Sequence, residues 1–282
     1  MKTDKTILDA VFNKYVQYYA FDSFTLHRCI NKGGSAEILQ CSWRNHPSII
    51  ILKCFESSNK EYDFIREVKI LSKIGRHPNI IDFYGITKDD NEYHIILQYA
   101  DNGNLRDYLG KNFTKLCWQN KLEIAKDIAN GLSFIHDKDI IHRDLHSKNI
   151  LIHNGQAKIA DFGCSSDIKN NEYGDVNGLL PYIEPQYFIN TKYYGKKSDI
   201  YSFGIILWEI SSGKPPFQSL NNDIRAIIHH VLGKNREIPV KNTPEKYREL
   251  YTKCWDHEPK KRLETKLVLE TLKSLYSQHI TK

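Results

Sequence analysis

At 282 residues and 33.0 kDa the chain is long enough for one large core or two lobes. Hydrophobic residues at 40% and charged residues at 26% are those of an ordinary soluble globular protein, and a net charge of +6 with dispersed lysines gives no basic arm for nucleic acid. The six cysteines are scattered and form no Cys-x-x-Cys pair, which argues against a disulfide framework or a zinc site, and no leader or bilayer-length apolar run stands out. A reducing cytosol is the expected compartment, with no membrane span.

In chain order, Leu8, Val11, Phe12, Tyr15, Val16 and Tyr19 share one helical face, so residues 1–21 are expected to form a helical extension. Residues 24–41 read as a hairpin whose turn carries Gly33 and Gly34. The apolar run 49–52 is a strand ending in Lys53. A helix follows, with Glu67 as the candidate acidic partner of Lys53 and Glu61 as a weaker one. Tyr93 to Leu97 is a strand, and residues 101–105 give a turn and a helix start.

Residues 122–136 are amphipathic at helical spacing. The polar run His142-Arg143-Asp144-Leu145-His146-Ser147-Lys148-Asn149 comes next, then short strands at 150–152 and 157–160, then Asp161-Phe162-Gly163. The oxygen-bearing side chains of Asp144, Asn149 and Asp161 stand within this stretch. The bland reading is a polar loop with a buried histidine and a salt-bridged Arg–Asp pair.

This linked order resembles the catalytic loop, H-R-D-L-x-x-x-N, and the D-F-G turn of the eukaryotic protein kinases. The similarity continues through Gly178-Leu179-Leu180-Pro181-Tyr182-Ile183-Glu184-Pro185-Gln186, the run 198–209 and Cys254-Trp255 with Arg262, and is closest to the tyrosine-kinase-like group. It implies an α+β, bilobal fold over residues 22–282. The small β-rich N-lobe with one main helix would be 22–100, and the larger helical C-lobe 101–282.

The resemblance also implies roles. Asp144, Lys53 and Glu67 would be catalytic, with Lys53 on the ATP phosphates and Glu67 pairing with it. Asn149 and Asp161 would hold Mg²⁺. Ile30, Gly33, Ile38, Ile51, Lys53, Leu97, Gln98, Ala100 and Leu151 would line the nucleotide site, with Leu97 as gatekeeper and Asn104 near the ribose. Asp199 would accept catalytic-loop amides. Leu71, Phe83, His142 and Phe162 would occupy the positions that stack through an active kinase. The partner would be a protein substrate, with Ser and Thr favoured over Tyr; the sequence does not address oligomeric state.

The departures are specific. Asn31 and Ala36 replace the outer glycines, and Ile51 replaces a small alanine that packs on adenine, where overpacking typically costs about 1–3 kcal/mol. His146 replaces a lysine on the transferred phosphate, and Leu179 replaces a threonine that bonds it. Gln186 replaces the glutamate that pairs with Arg262, leaving at most a weaker neutral hydrogen bond. Ser165, Ser166 and Tyr173 are the expected exposed hydroxyls for phosphorylation. The reading is therefore an ATP- and Mg²⁺-dependent protein kinase. Its alternative is a pseudokinase, a binding or scaffold module without turnover.

Overall fold

A computed structural model describes residues 16–33, 36–44, 49–55, 61–90, 92–168, 179–190, 194–221 and 223–280. The chain separates into two compact units, Met1–Ala100 and Asp101–Lys282.

The first unit is a five-stranded antiparallel sheet with one helix. Strands β1 (Phe24–Gly33), β2 (Ala36–Trp43), β3 (Ile49–Cys54), β4 (Phe83–Lys88) and β5 (Tyr93–Gln98) lie in the order β1-β2-β3-β5-β4. Helix α1 (Glu61–Ile74) buries Phe64, Val68, Leu71 and Ile74, at i, i+4, i+7 and i+10. Glu67 lies on this same face, and is buried with it.

Residues 16–20 overturn the expected helix at their position; residues 1–15 lie outside the described residues. Tyr18 makes a parallel bridge to Ile86, and the Ile86 amide donates to the Gln17 carbonyl at 2.9 Å. Tyr18 is exposed while Tyr19 sets its ring 4.7 Å from Trp43, an alternation of period two. Neighbouring aromatics favour such a pleated surface. Gly85 makes the approach possible: its φ is +145°, and a Cβ there would run into the Gln17 carbonyl oxygen.

The second unit is built around α5 (Lys196–Ser212). Every residue of α5 from Ser198 to Ser212 is buried, as expected of a helix surrounded by protein. Around it in sequence are α2 (Leu105–Asn112), α3 (Trp118–Asp137), α4 (Pro185–Ile189), α6 (Ile224–Leu232), α7 (Glu245–Cys254) and α8 (Thr265–Ile280). Short strands β6 (Ile140–Ile141) and β9 (Ser166–Asp167) pair with each other, as do β7 (Ile150–His153) and β8 (Gln156–Ile159).

Arg262 corrects one expectation. Its partner is not Gln186 but Glu184, two residues earlier, with Nη1 donating to Oε2 at 2.6 Å and both side chains fully buried. Ser198 Oγ donates to the other Glu184 oxygen, and Arg262 also donates to the Lys197 and Asp256 carbonyls. The Gln186 amide only reaches the His257 carbonyl, at 3.5 Å. The charge-assisted pair is thus kept by moving the carboxylate along the chain. Glu184→Ala should strand a buried guanidinium and cost about 3–5 kcal/mol. Gln186→Ala should cost less than about 1 kcal/mol. Urea unfolding of the two variants checks this order.

Candidate active site

In the first unit the sheet register gathers four of the nine expected nucleotide-site residues. Lys53 lies opposite Ile38 on β2 and Ile95 on β5, and Ile51 lies opposite Leu97. Cross-strand partners share a face and so do residues two apart. Ile38, Ile51, Lys53 and Leu97 therefore stand on one face of the sheet. Gln40, opposite Ile51, joins them and accepts from Arg28 Nε at 2.7 Å, a polar member that the sequence did not signal. Ile30 is exposed at an irregularity in β1, where the register shifts between Cys29 and Asn31. Gly33 pairs with Ala36 at the end of the hairpin, and the turn residues Gly34 and Ser35 lie outside the described residues.

Lys53 Nζ reaches both Glu67 oxygens at 2.8 Å, with side chains 5% and 1% exposed. A cation and a carboxylate are buried together because β3 carries the lysine one residue before its end and α1 turns Glu67 inward. The Gln98 amide donates to the Asp82 carbonyl at 2.9 Å, so of its backbone groups only the carbonyl can serve a ligand. Ala100 is buried at the end of this unit.

In the second unit Asp199, fully buried on α5, fixes the catalytic loop. Its Oδ2 accepts the His142 amide at 2.8 Å and its Oδ1 the Arg143 amide at 3.0 Å. His136 Nε2 lies 2.8 Å from Oδ2, and its Nδ1 lies 2.7 Å from the Thr265 hydroxyl. Arg143 at φ 69° and Asp161 at φ 60° occupy backbone space that non-glycine residues seldom use. Such positions persist where the surroundings hold them, and they cluster at functional sites.

His142 is locked as well. Its Nδ1 accepts the Asp144 amide at 3.3 Å, so its proton is on Nε2, which donates to the Ala160 carbonyl at 3.0 Å. Its ring lies 5.0 Å from Phe162. Ser165 is buried and donates to the His142 carbonyl at 3.0 Å. That overturns its expected exposure as a phosphorylation site. Ser166 is half-buried in β9, and Tyr173 lies outside the described residues.

The expected metal ligands flank the base of the β7–β8 hairpin. Ile150 pairs with Ile159, and the Ala160 amide donates to the Asn149 carbonyl at 2.8 Å, which brings Asn149 alongside the residue before Asp161. Asn149 Nδ2 donates to Asp144 Oδ2 at 3.1 Å and to its carbonyl at 2.9 Å. With its NH₂ turned to Asp144, Asn149 keeps its amide oxygen as the donor for a cation. An amide oxygen and a carboxylate suit Mg²⁺, which usually takes one or two protein carboxylates, phosphates and water. Among the described residues no cluster of three or more His, Cys, Asp or Glu forms a dedicated metal cage.

Leu151 is half-buried and bridges to Asn104. Asn104 is the N-cap of α2, its oxygen accepting the Asp107 amide at 3.0 Å and its NH₂ donating to the Asp107 carboxylate at 2.9 Å. A polar network that the sequence did not reveal supports the loop from below. Ser147 Oγ donates to Glu209 Oε1 at 2.9 Å, and Arg106 Nε donates to the same oxygen at 3.0 Å. Tyr182 OH donates to the other Glu209 oxygen. Burial pushes the Glu209 carboxyl upward against the opposing pull of Arg106.

A family model described as protein tyrosine and serine/threonine kinase matches residues 24–272. The chain belongs to that family. It is 32% identical over 262 residues to mitogen-activated protein kinase kinase kinase 7 of Drosophila melanogaster, covering 90% of this chain and 37% of that protein. It is 34% identical over 248 residues to serine/threonine-protein kinase VIK of Arabidopsis thaliana, covering 83% and 56%. It is 31% identical over 288 residues to dual specificity protein kinase splA of Dictyostelium discoideum, covering 93% and 12%. This kinase-family chain thus spans about half or less of the length of these relatives. Among its described residues no helix is long and apolar enough to cross a membrane.

Two histidines, the buried His142 and the half-buried His257, set a pH dependence for this kinase domain. Burial pushes His142 below the usual histidine range, outweighing Asp199 and the other nearby carboxylates. Burial, then Arg236, lowers His257 in the same direction. The unfolded chain takes up these protons near about pH 6.5 and the folded one resists them. Their contribution is therefore complete above that pH and is lost as the pH falls below it. The urea midpoint should drop between about pH 7.5 and about pH 5.5. A midpoint that holds constant over that interval would contradict the assignment.

Proposed function

We propose that the chain is an active protein kinase that moves the γ-phosphoryl group of MgATP to a protein hydroxyl, with Ser and Thr favoured over Tyr. The observation that carries this reading is the buried, two-oxygen pairing of Lys53 with Glu67. Such a pair is what a kinase needs in place before its lysine can hold the α- and β-phosphates. Lys53 binds those phosphates, and Glu67 keeps its ammonium aimed. Ile30, Gly33, Ile38, Ile51, Leu97, Leu151 and the backbone of Gln98 and Ala100 take the rest of the nucleotide.

Mg²⁺, when bound by Asn149 and Asp161, neutralises charge on the phosphate oxygens. Asp144 accepts the hydrogen bond of the acceptor hydroxyl and orients it for in-line attack. Asn149 holds Asp144 Oδ2 while offering its own oxygen outward. Little covalent chemistry is asked of the protein, so positioning carries most of the rate. Two of the relatives reported above bear serine/threonine or dual-specificity names, which supports the acceptor class.

We place this activity in the cytosol. Burial raises the thiols of Cys41 to about 11 and of Cys54 and Cys254 to about 12, as suits inert reduced side chains. The scaffold alternative draws on Asn31, Ala36, Ile51, His146 and Gln186. The Glu184–Arg262 pair removes the last of these from its support.

ADP release and autophosphorylation by the purified chain decide between them. Asp144→Asn should lower the rate about 10²–10⁴-fold, the usual worth of a general base. Equal signals from parent and variant would exclude turnover at this site.

A further inference from the structure

Asp144 has one oxygen held and one not. Oδ2 accepts from Asn149 Nδ2 at 3.1 Å. Oδ1 is buried and, among the described residues, makes no hydrogen bond. A buried carboxylate oxygen without a donor is costly. The group facing it is His146, whose Nε2 lies 3.3 Å away.

The His146 ring has a defined proton. Its Nδ1 lies 3.2 Å from the Asn149 amide nitrogen, which can only donate and which shares its proton with the His146 carbonyl at 2.9 Å. Nδ1 is therefore the acceptor and the ring proton sits on Nε2, the nitrogen turned to Asp144. The side chain is buried, and its ring lies 5.8 Å from that of Tyr182. One imidazole thus joins the backbone of Asn149 to the carboxylate of Asp144.

We propose that His146 is a positioning residue for phosphoryl transfer: its Nε2–H closes onto Asp144 Oδ1 and fixes the carboxylate that receives the acceptor hydroxyl. This rests on the kinase reading above. Hydrogen bonds of this kind often shorten only when the substrate is in place, so a separation of 3.3 Å in the isolated chain is compatible with it. The ring neither gains nor loses a proton in the step. It acts as a neutral donor, and the orientation of Asp144 replaces the fixed cation that a lysine would bring to this position.

The full chain tests this by kinetics and by spectroscopy. His146→Ala should lower kcat for ADP release about tenfold or more while KM for ATP stays within about twofold, the pattern of a group that acts in the transition state. Imidazole added to the buffer should restore kcat to His146→Gly and should do nothing for Asp144→Asn. A kcat for His146→Ala within about twofold of the parent, or a loss confined to KM, overturns the proposal. So does a loss in His146→Gly that imidazole leaves untouched.

Nitrogen-15 NMR of the histidine-labelled parent gives an answer that needs no turnover and no folded variant. A neutral His146 ring protonated on Nε2 supports the assignment. A proton on Nδ1, or on both nitrogens, overturns it. If the parent itself releases no ADP, the kinase reading fails, and the NMR result still decides the local geometry.

Discussion

The catalytic loop hangs from one carboxylate. Asp199 receives two consecutive loop amides, His142 and Arg143, and faces the ring of His136 on α3. It sits on the one helix of this unit whose residues are buried from Ser198 to its end. A rigid central helix is thereby coupled to a loop that has no regular structure of its own. The left-handed backbone of Arg143 would not persist without such a hold.

From that anchor the order of the site follows by hydrogen bonds. The loop carries His142, whose ring fixes the Asp144 amide on one side and the Ala160 carbonyl on the other. Ala160 in turn donates to Asn149, and Asn149 holds Asp144. The circuit returns to its start with every donor and acceptor role set by the chemistry of the groups. Ser147, Glu209, Tyr182 and Arg106 brace the same loop through a second buried set. Buried polar networks of this kind are stable only when their members are satisfied, and they then define a single arrangement.

Much of this was legible in the sequence because its spacing is chemical. Lys53 at the end of an apolar strand is ordinary by itself, and it was paired with Glu67 through the resemblance to the kinase lysine motif and its helix glutamate. The linked loop and Asp-Phe-Gly turn likewise placed Asn149 and Asp161 at one end of a hairpin. Less was legible where two residue types compete for one role. Motif position pointed to Gln186 for Arg262, whereas the buried guanidinium takes the stronger acceptor, Glu184, in the same turn. Val16 and Tyr19 fitted a helical stripe, but the open edge of β4 offers backbone partners that periodicity cannot show. Ser165 was expected to be exposed as a hydroxyl of the segment after Asp-Phe-Gly, and only its bond to the His142 carbonyl reveals that it is turned inward.

Hydrogen exchange at the amides of His142 and Arg143 tests the anchoring role of Asp199 most directly. Both amides should be protected in the parent nearly as well as the core of α5, because they open only when that helix does. In Asp199→Asn they should exchange much faster while α3 and α8 keep their protection. Unchanged protection at the two amides in that variant would mean that something other than this carboxylate holds the loop.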